Sequence, residues 1–350
     1  MSKKYNDVLA CLTASAALCL LAACGGGGSG GGGAGLPAIT PAAATTEAAP
    51  TPSTSSPTPP GSEELAAFAL LNKERVGCGF GALERNAHLD AAATGHANWQ
   101  LLNNVASHVQ SEGTPGFTGV TPRNRAATAG YESTSVVGDE FSGVIGRSAA
   151  TGFGAQGIRT LLSAPYHLLG LVAGYRDVGL SVMSSDAAGT TKKLSRVMLQ
   201  VNLGYTATQG GELPHAAGTV LSYPCEGTTD TSVGFTNETP NPIPSRDLVS
   251  SPLGQAIYLV GDADKNLVIS SSLVQETGTG NTVSLVAPFV KANDPNSILK
   301  SNEAFILPDA LLKPSTQYKV TIVGTNDGTS FTKAFSFKTG ARTPTSSAAN

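Results

Sequence analysis

Hydrophobic positions divide the chain into four parts. A leading apolar run is followed by a stretch with no apolar periodicity, a region of helical and then alternating periods, and a tail of short β-type runs. The leading run, 8–23, follows Lys3 and Lys4. It is too short for a stable transmembrane helix and suits a signal peptide, and nothing later is apolar for long enough to cross a bilayer. Gly, then Ala, Thr, Ser and Pro, dominate 24–60. That composition buries too little apolar surface to offset the entropy of ordering, so a disordered linker is expected, flexible at its glycine end and stiffer toward the prolines.

Helical periodicity starts at Ser62, which can cap a helix carrying Glu63 and Glu64 in its first turn, with Leu65, Phe68, Leu71 and Asn72 on one side and an end near Gly77. A second helix is expected after Asn86, where Leu89, Ala92, Ala93, His96, Trp99 and Leu102 or Asn103 recur at steps of three or four. Thr121-Pro122 reads as a cap and a first-turn proline opening a short helix to Ala127. Ile158, Leu161 and Leu162 suggest another, broken by Pro165. Strand signals at 178–184 and 197–205 predict a hairpin, and a strand over 133–141 completes a three-stranded antiparallel sheet. The expected fold of 62–207 is therefore α+β. After a turn-rich connector, 208–235, the runs 257–260, 267–269, 283–286, 318–323 and 331–337 predict an all-β sandwich over 236–340.

Composition narrows the function. The chain has 350 residues and a net charge of −3, with no basic block. Nucleic acid is thereby disfavoured as a partner, since phosphate binding needs clustered Lys and Arg. Without leader and linker roughly 290 residues remain, more than one core usually holds, so two domains are expected. The apolar run ends in Leu21-Ala22-Ala23-Cys24, which resembles the lipobox of bacterial lipoproteins. That resemblance implies cleavage before Cys24, a lipid on its thiol and attachment to a membrane in the cell envelope. Gly25 after the cysteine resembles the outer-membrane sorting choice of Gram-negative bacteria. Of five cysteines, Cys11 and Cys19 then leave with the leader and Cys24 carries lipid. Cys78 and Cys225 remain, either as a disulfide or as two separate buried thiols. In an oxidising compartment a bridge closing so long a loop would stabilise by on the order of 4 to 5 kcal/mol.

In the first globular region Leu71-Asn72-x-x-Arg75, Leu83 and Leu89 flanking Asn86, Ala93-x-x-His96-Ala97, Ser107-His108 and Gly113 follow in order. Arg125, Gly130-Tyr131, Gly138-Asp139-Glu140, Ser163-x-Pro165-x-His167 and Val178-Gly179-Leu180 continue the series. This series resembles the CAP superfamily, also called SCP or PR-1-like domains, in its bacterial extracellular form. The resemblance implies a three-layer α-β-α sandwich with an antiparallel sheet. It also implies a cleft where two histidines and acidic residues converge, used by some members to bind a divalent metal such as zinc. His108 and His167 match the histidines. For the acidic position Glu140 is preferred, with Asp139 as the other register. A second glutamate has no match in 152–163, where only Gln156 is polar and nearby. Two imidazoles and a carboxylate are good zinc ligands and would leave an open position, although the spacing of His108, Glu140 and His167 is no compact metal motif.

The remaining candidates read as structural. His96 on an Ala-rich face is expected to pack in the core, and His88 and His215 carry no signal. Ser107 beside His108 is not a hydrolase signature, because triad members are neighbours in space and no Gly-x-Ser-x-Gly turn occurs. In the tail, Leu312-x-Pro314-x-Thr316-x-Tyr318-x-Val320 and Phe335-x-Phe337-x-Thr339 resemble late strands of Ig-like and fibronectin type III domains, in which Tyr318 would brace upstream backbone. The expectation is an exported lipoprotein whose cleft binds a small ligand, lipid or partner. A metal-dependent hydrolase and a non-catalytic adhesion module are the alternatives.

Overall fold

A computed structural model describes residues 61–132, 135–186, 188 and 195–342. The leader, Cys24 and the linker lie outside the described residues. The first region contains α1 (Ser62–Gly77), β1 (Glu84–Arg85), α2 (Ala87–Asn103), α3 (Pro122–Thr128), β2 (Val136–Ile145), α4 (Phe153–Leu161), α5 (Pro165–Val172), β3 (Asp177–Ser184) and β4 (Arg196–Tyr205). Ser62 does not cap α1 as expected, because the helix already includes it and the N-cap is Gly61 with no side-chain hydrogen bond, whereas α2 and α3 are capped as the local sequence dictates. Asn86 Oδ1 accepts from the backbone N–H groups of His88 and Leu89 to start α2. Thr121 and Asn124 form a reciprocal capping box ahead of Pro122 in α3.

The sheet has four strands in the order β1-β3-β4-β2, antiparallel apart from the short β1–β3 pair. Three strands were expected. The added β1 is two residues long and carries no period of its own. β2 runs to Ile145 instead of stopping at 141, and residues 133 and 134 of the expected strand lie outside the described residues. Pro165 was expected to break a helix; α4 already stops at Leu161, and Pro165 instead opens α5, because proline at the first helical position loses no hydrogen bond. Every residue of β4 from Arg196 to Gly204 is buried, so helices cover both faces of the sheet. Gly179 shows how closely α2 lies: a Cβ there would stand 2.0 Å from the carbonyl carbon of Leu89.

The second region contains β5 (Leu221–Tyr223), β6 (Gly234–Phe235), β7 (Leu253–Gly254), β8 (Ile257–Val260), β9 (Leu267–Glu276), β10 (Phe289–Val290), β11 (Glu303–Ile306), β12 (Gln317–Asn326) and β13 (Thr329–Lys338). One sheet runs β10-β11-β8-β5, another β13-β12-β9, and β6 pairs with β7. The run 283–286 forms no strand and contributes one isolated bridge, Leu285 to Pro308, next to a second at Thr282. Tyr318 Oη accepts from the Lys313 backbone N–H at 2.8 Å, the upstream brace its position suggested.

Ile257-Tyr258-Leu259-Val260 lacks polar alternation, and the fold uses both of its faces. Ile257 and Leu259 join Val320, Ile322 and Phe337 in one core. Tyr258 and Val260 point the other way, into a core with Leu71, Leu168, Leu171 and Leu199 from the first region. All described residues belong to one compact unit, and the connector is crossed by this shared core. Gln255 Nε2 donates to Leu162 O (2.7 Å) and Ala256 N to Ser163 O (3.1 Å) across the same seam.

Cys78, at the end of α1, and Cys225, after β5, are joined by a disulfide, closing a separation of 147 residues. A chain beginning at Ser55, whose cysteines are Cys78 and Cys225, is therefore expected to expose no free thiol when denatured without reduction. Cys225→Ser should lower the unfolding free energy by on the order of 4 to 5 kcal/mol, read from denaturant melts. Two titratable thiols in the unreduced chain would contradict the pairing.

Candidate functional site

β2 lies at the edge of its sheet, with β4 as its one neighbour. Register places Asp139 opposite Asn202, Phe141 opposite Gln200, Gly143 opposite Met198 and Ile145 opposite Arg196, so these side chains share a face. Glu140 and Ser142 point to the other face. The helices divide in the same way. α2 and α3 supply the groups around Asp139, whereas α5 packs over Glu140.

On the first face Asp139 is a buried carboxylate held by three donors. His108 Nδ1 lies 2.8 Å from Oδ1, while Arg125 Nη2 (2.7 Å) and Gln200 Nε2 (3.0 Å) reach Oδ2. Arg125 also donates to the carbonyls of His108 (3.0 Å) and Val120 (3.1 Å), which ties the loop between α2 and α3 to the sheet. Removing one partner from such a buried pair costs about 3 to 5 kcal/mol, because the other charge is left uncompensated. His108 is nearly half exposed and its ring rests on Phe141, with centroids 4.8 Å apart.

His96 is fully buried in the same network. Its Nε2 lies 2.8 Å from the Ser107 carbonyl and its Nδ1 3.0 Å from Gln110 Nε2, a pairing that suits a neutral ring with the proton on Nε2. Burial, aided by Arg125, pushes its pKa down to about 4 despite Asp139 at 3.7 Å. Ser107 Oγ donates to the Val109 carbonyl and forms no dyad with His108.

On the second face His167, on α5, has its Nδ1 3.0 Å from Glu238 and its Nε2 3.8 Å from Glu140. Glu238 was not singled out by sequence reasoning. It sits in the second region, in the turn-rich Asn237-Glu238-Thr239, with no motif around it. Its buried Oε1 also accepts from the backbone N–H groups of Tyr166 (3.0 Å) and His167 (3.3 Å). It thereby caps α5, whose own N-cap, Ala164, has no side chain able to do so. Burial opposes a charge on His167, but Glu238 and then Glu140 outweigh it and bring the pKa up to about 9. Burial pushes Glu140 up to about 8, with His167 pulling the other way. Gly170 makes room for that carboxylate, since a Cβ there would stand 1.9 Å from Glu140 Oε1.

A cavity of about 400 Å³ lies along the free edge of β2 and joins the two faces. His108 enters it from one side and His167 from the other, with Phe141, Leu161, Ala164 and Met198 forming apolar wall. Asp139 and Glu140 stand behind the histidines, outside the lining. Among the described residues no three His, Cys, Asp or Glu side chains come together as a possible metal site. The expected set of His108, Glu140 and His167 is thus split, because neighbouring residues on a strand leave on opposite faces and each histidine already has its own carboxylate. Zinc finds no set of three such ligands among the described residues.

No protein-family model matches the chain, and no curated protein matches it. Among solved structures, an outer surface protein from Borrelia burgdorferi is similar over 41% of this chain and 91% of its own, with 16% identity and a TM-score of 0.31. That overlap is too slight to carry a functional argument.

The two shifted groups fix a pH dependence. Folded Glu140 keeps its proton to about 8 instead of 4.5, and folded His167 to about 9 instead of 6.5. In both cases the folded state holds more protons than the unfolded state, so stability falls as pH rises, from 4.5 through 8 for the first and from 6.5 through 9 for the second. Between pH 4 and 6.5 the lowered pKa of His96 works the other way, so urea midpoints should decline chiefly from about pH 6.5 to about pH 9, and Glu140→Gln should flatten the lower part of that decline. A rise over that range in the unaltered protein would count against the assignment.

Proposed function

We propose that this is an exported, lipid-anchored envelope protein of the CAP kind, followed by an Ig-like region, and that the cavity beside β2 binds a small, largely apolar ligand. The observation that carries the reading is the cavity itself. It is of ligand size, walled by Phe141, Leu161, Ala164 and Met198, and bounded by two histidines held in place by carboxylates. The ordered series of residues from Leu71 to Leu180 supports the CAP assignment, and the Tyr318 brace supports the Ig-like one. Lys3, Lys4 and Leu21-Ala22-Ala23-Cys24 support export and lipidation. Binding is favoured over hydrolysis because each histidine is engaged by its own carboxylate and Ser107 is turned away.

Two rim residues allow the cavity to be blocked without disturbing the core. Val109 and Thr160 both line it and are exposed. A chain beginning at Ser55, which spans the whole compact unit, is expected to bind the neutral dye Nile red with a fluorescence rise. Val109→Trp combined with Thr160→Trp should weaken that binding by about tenfold or more while leaving the melting temperature within a few degrees. Undiminished dye binding in the double variant would place the site elsewhere.

Lipidation is checked separately, in cells. Labelled palmitate should be incorporated into the full chain and lost in Cys24→Ser, with the variant released from the membrane fraction. Equal labelling of both would remove Cys24 as the anchor.

A further inference from the structure

The cavity lining holds a charge with no counterion among the described residues. Arg196 opens β4 opposite Ile145, on the face that also presents Phe141 and Met198. It lines the cavity and is only 8% exposed. Its guanidinium makes one hydrogen bond to a described residue, from Nη1 to Val105 O at 3.3 Å.

Two other buried arginines show what satisfaction looks like in this fold. Arg75 donates to the carbonyls of Phe80, Gly81, Leu171, Ala173 and Tyr175. Arg125 has Asp139 and two carbonyls. Arg196 has neither arrangement, and its pKa is lowered by burial with no opposing charge. A guanidinium nevertheless stays protonated near neutral pH, and a buried charge is normally paired. Glu238, which also lines the cavity, forms no ion pair with Arg196: its Oε1 holds His167 and the start of α5, and its Oε2 is buried with no hydrogen-bond partner among the described residues. Asp139 is likewise taken by Arg125, Gln200 and His108.

We infer that the ligand of this cavity is an amphiphilic organic acid, whose carboxylate or phosphate group pairs with Arg196 while its apolar body lies against Met198 and Phe141. The inference rests on the cavity being a binding site and adds the chemical class of what binds. The planar fork of Arg196 can take two oxygens of either head group.

The test is competition against Nile red in the chain beginning at Ser55, with dodecanoate, dodecyl phosphate and dodecanol as competitors, each below its aggregation limit. Both acids should displace the dye at concentrations about ten- to a hundredfold below dodecanol. Which acid is stronger assigns the head group. Arg196→Met should abolish the preference, read as the ratio of acid to alcohol competition within the variant, and Arg196→Lys should keep part of it. If Nile red binds but acid and alcohol compete equally, the acid assignment is overturned and the cavity reading stands. Retention of the preference in Arg196→Met would also overturn it, and absence of binding by every probe would overturn both readings. Should Arg196→Met fail to fold, the acid-to-alcohol ratio in the unaltered chain decides.

Discussion

On β2, Asp139 and Glu140 are adjacent in sequence and opposite in space, and the two-residue period that separates them shapes the rest of the molecule. It gives His108 and His167 different carboxylate partners on different faces, and lets a cavity along the strand edge be approached from both. The same period acts on β8. Ile257 and Leu259 enter the core of the second region while Tyr258 and Val260 enter that of the first, so the two regions share one sheet as a common wall. A strand that is apolar on both faces has to be covered on both.

Electrostatics then differentiates groups that look alike in the sequence. His96 and His167 both lie in buried networks with a carboxylate and end far apart, near 4 and near 9. Around His96, burial and the Arg125 charge outweigh an aspartate at 3.7 Å that is already neutralised by that arginine. Around His167, two glutamates with no arginine between them outweigh burial. The decisive variable is whether the carboxylate has another cation to serve. Arg196 is the converse, a cation for which the described part of the fold supplies no carboxylate.

Much of the fold was legible locally. The periodic residues of α1 and α2, the Asn86 and Thr121 caps and the β3–β4 hairpin appear where propensity and pattern placed them. What was missed had weak or misleading local signals. β1 and β10 are two residues long, and Pro165 was read as a stop when it is also a start. In the site, His108 and His167 were singled out, with Glu140 preferred and Asp139 as the other register; both histidines line one cavity and both carboxylates stand outside its lining. Alternation along β2 sets Asp139 beside His108 and Glu140 beside His167, and the sequence around 139–140 contained that alternation once the segment was accepted as a strand.

The sequence by itself determined most of the elements, because capping and periodicity act over a few residues, while the histidines and carboxylates worth following came from a resemblance carried by an ordered series of residues. Only the tertiary structure decided that Glu238, 71 residues away from His167, would cap α5 and hold that ring. It alone left Arg196 without a carboxylate among the described residues in the lining of an apolar cavity. The reason is physical: a contact between distant segments depends on which faces the sheets present to each other, and no local pattern encodes the distance between charges that the fold brings together or keeps apart.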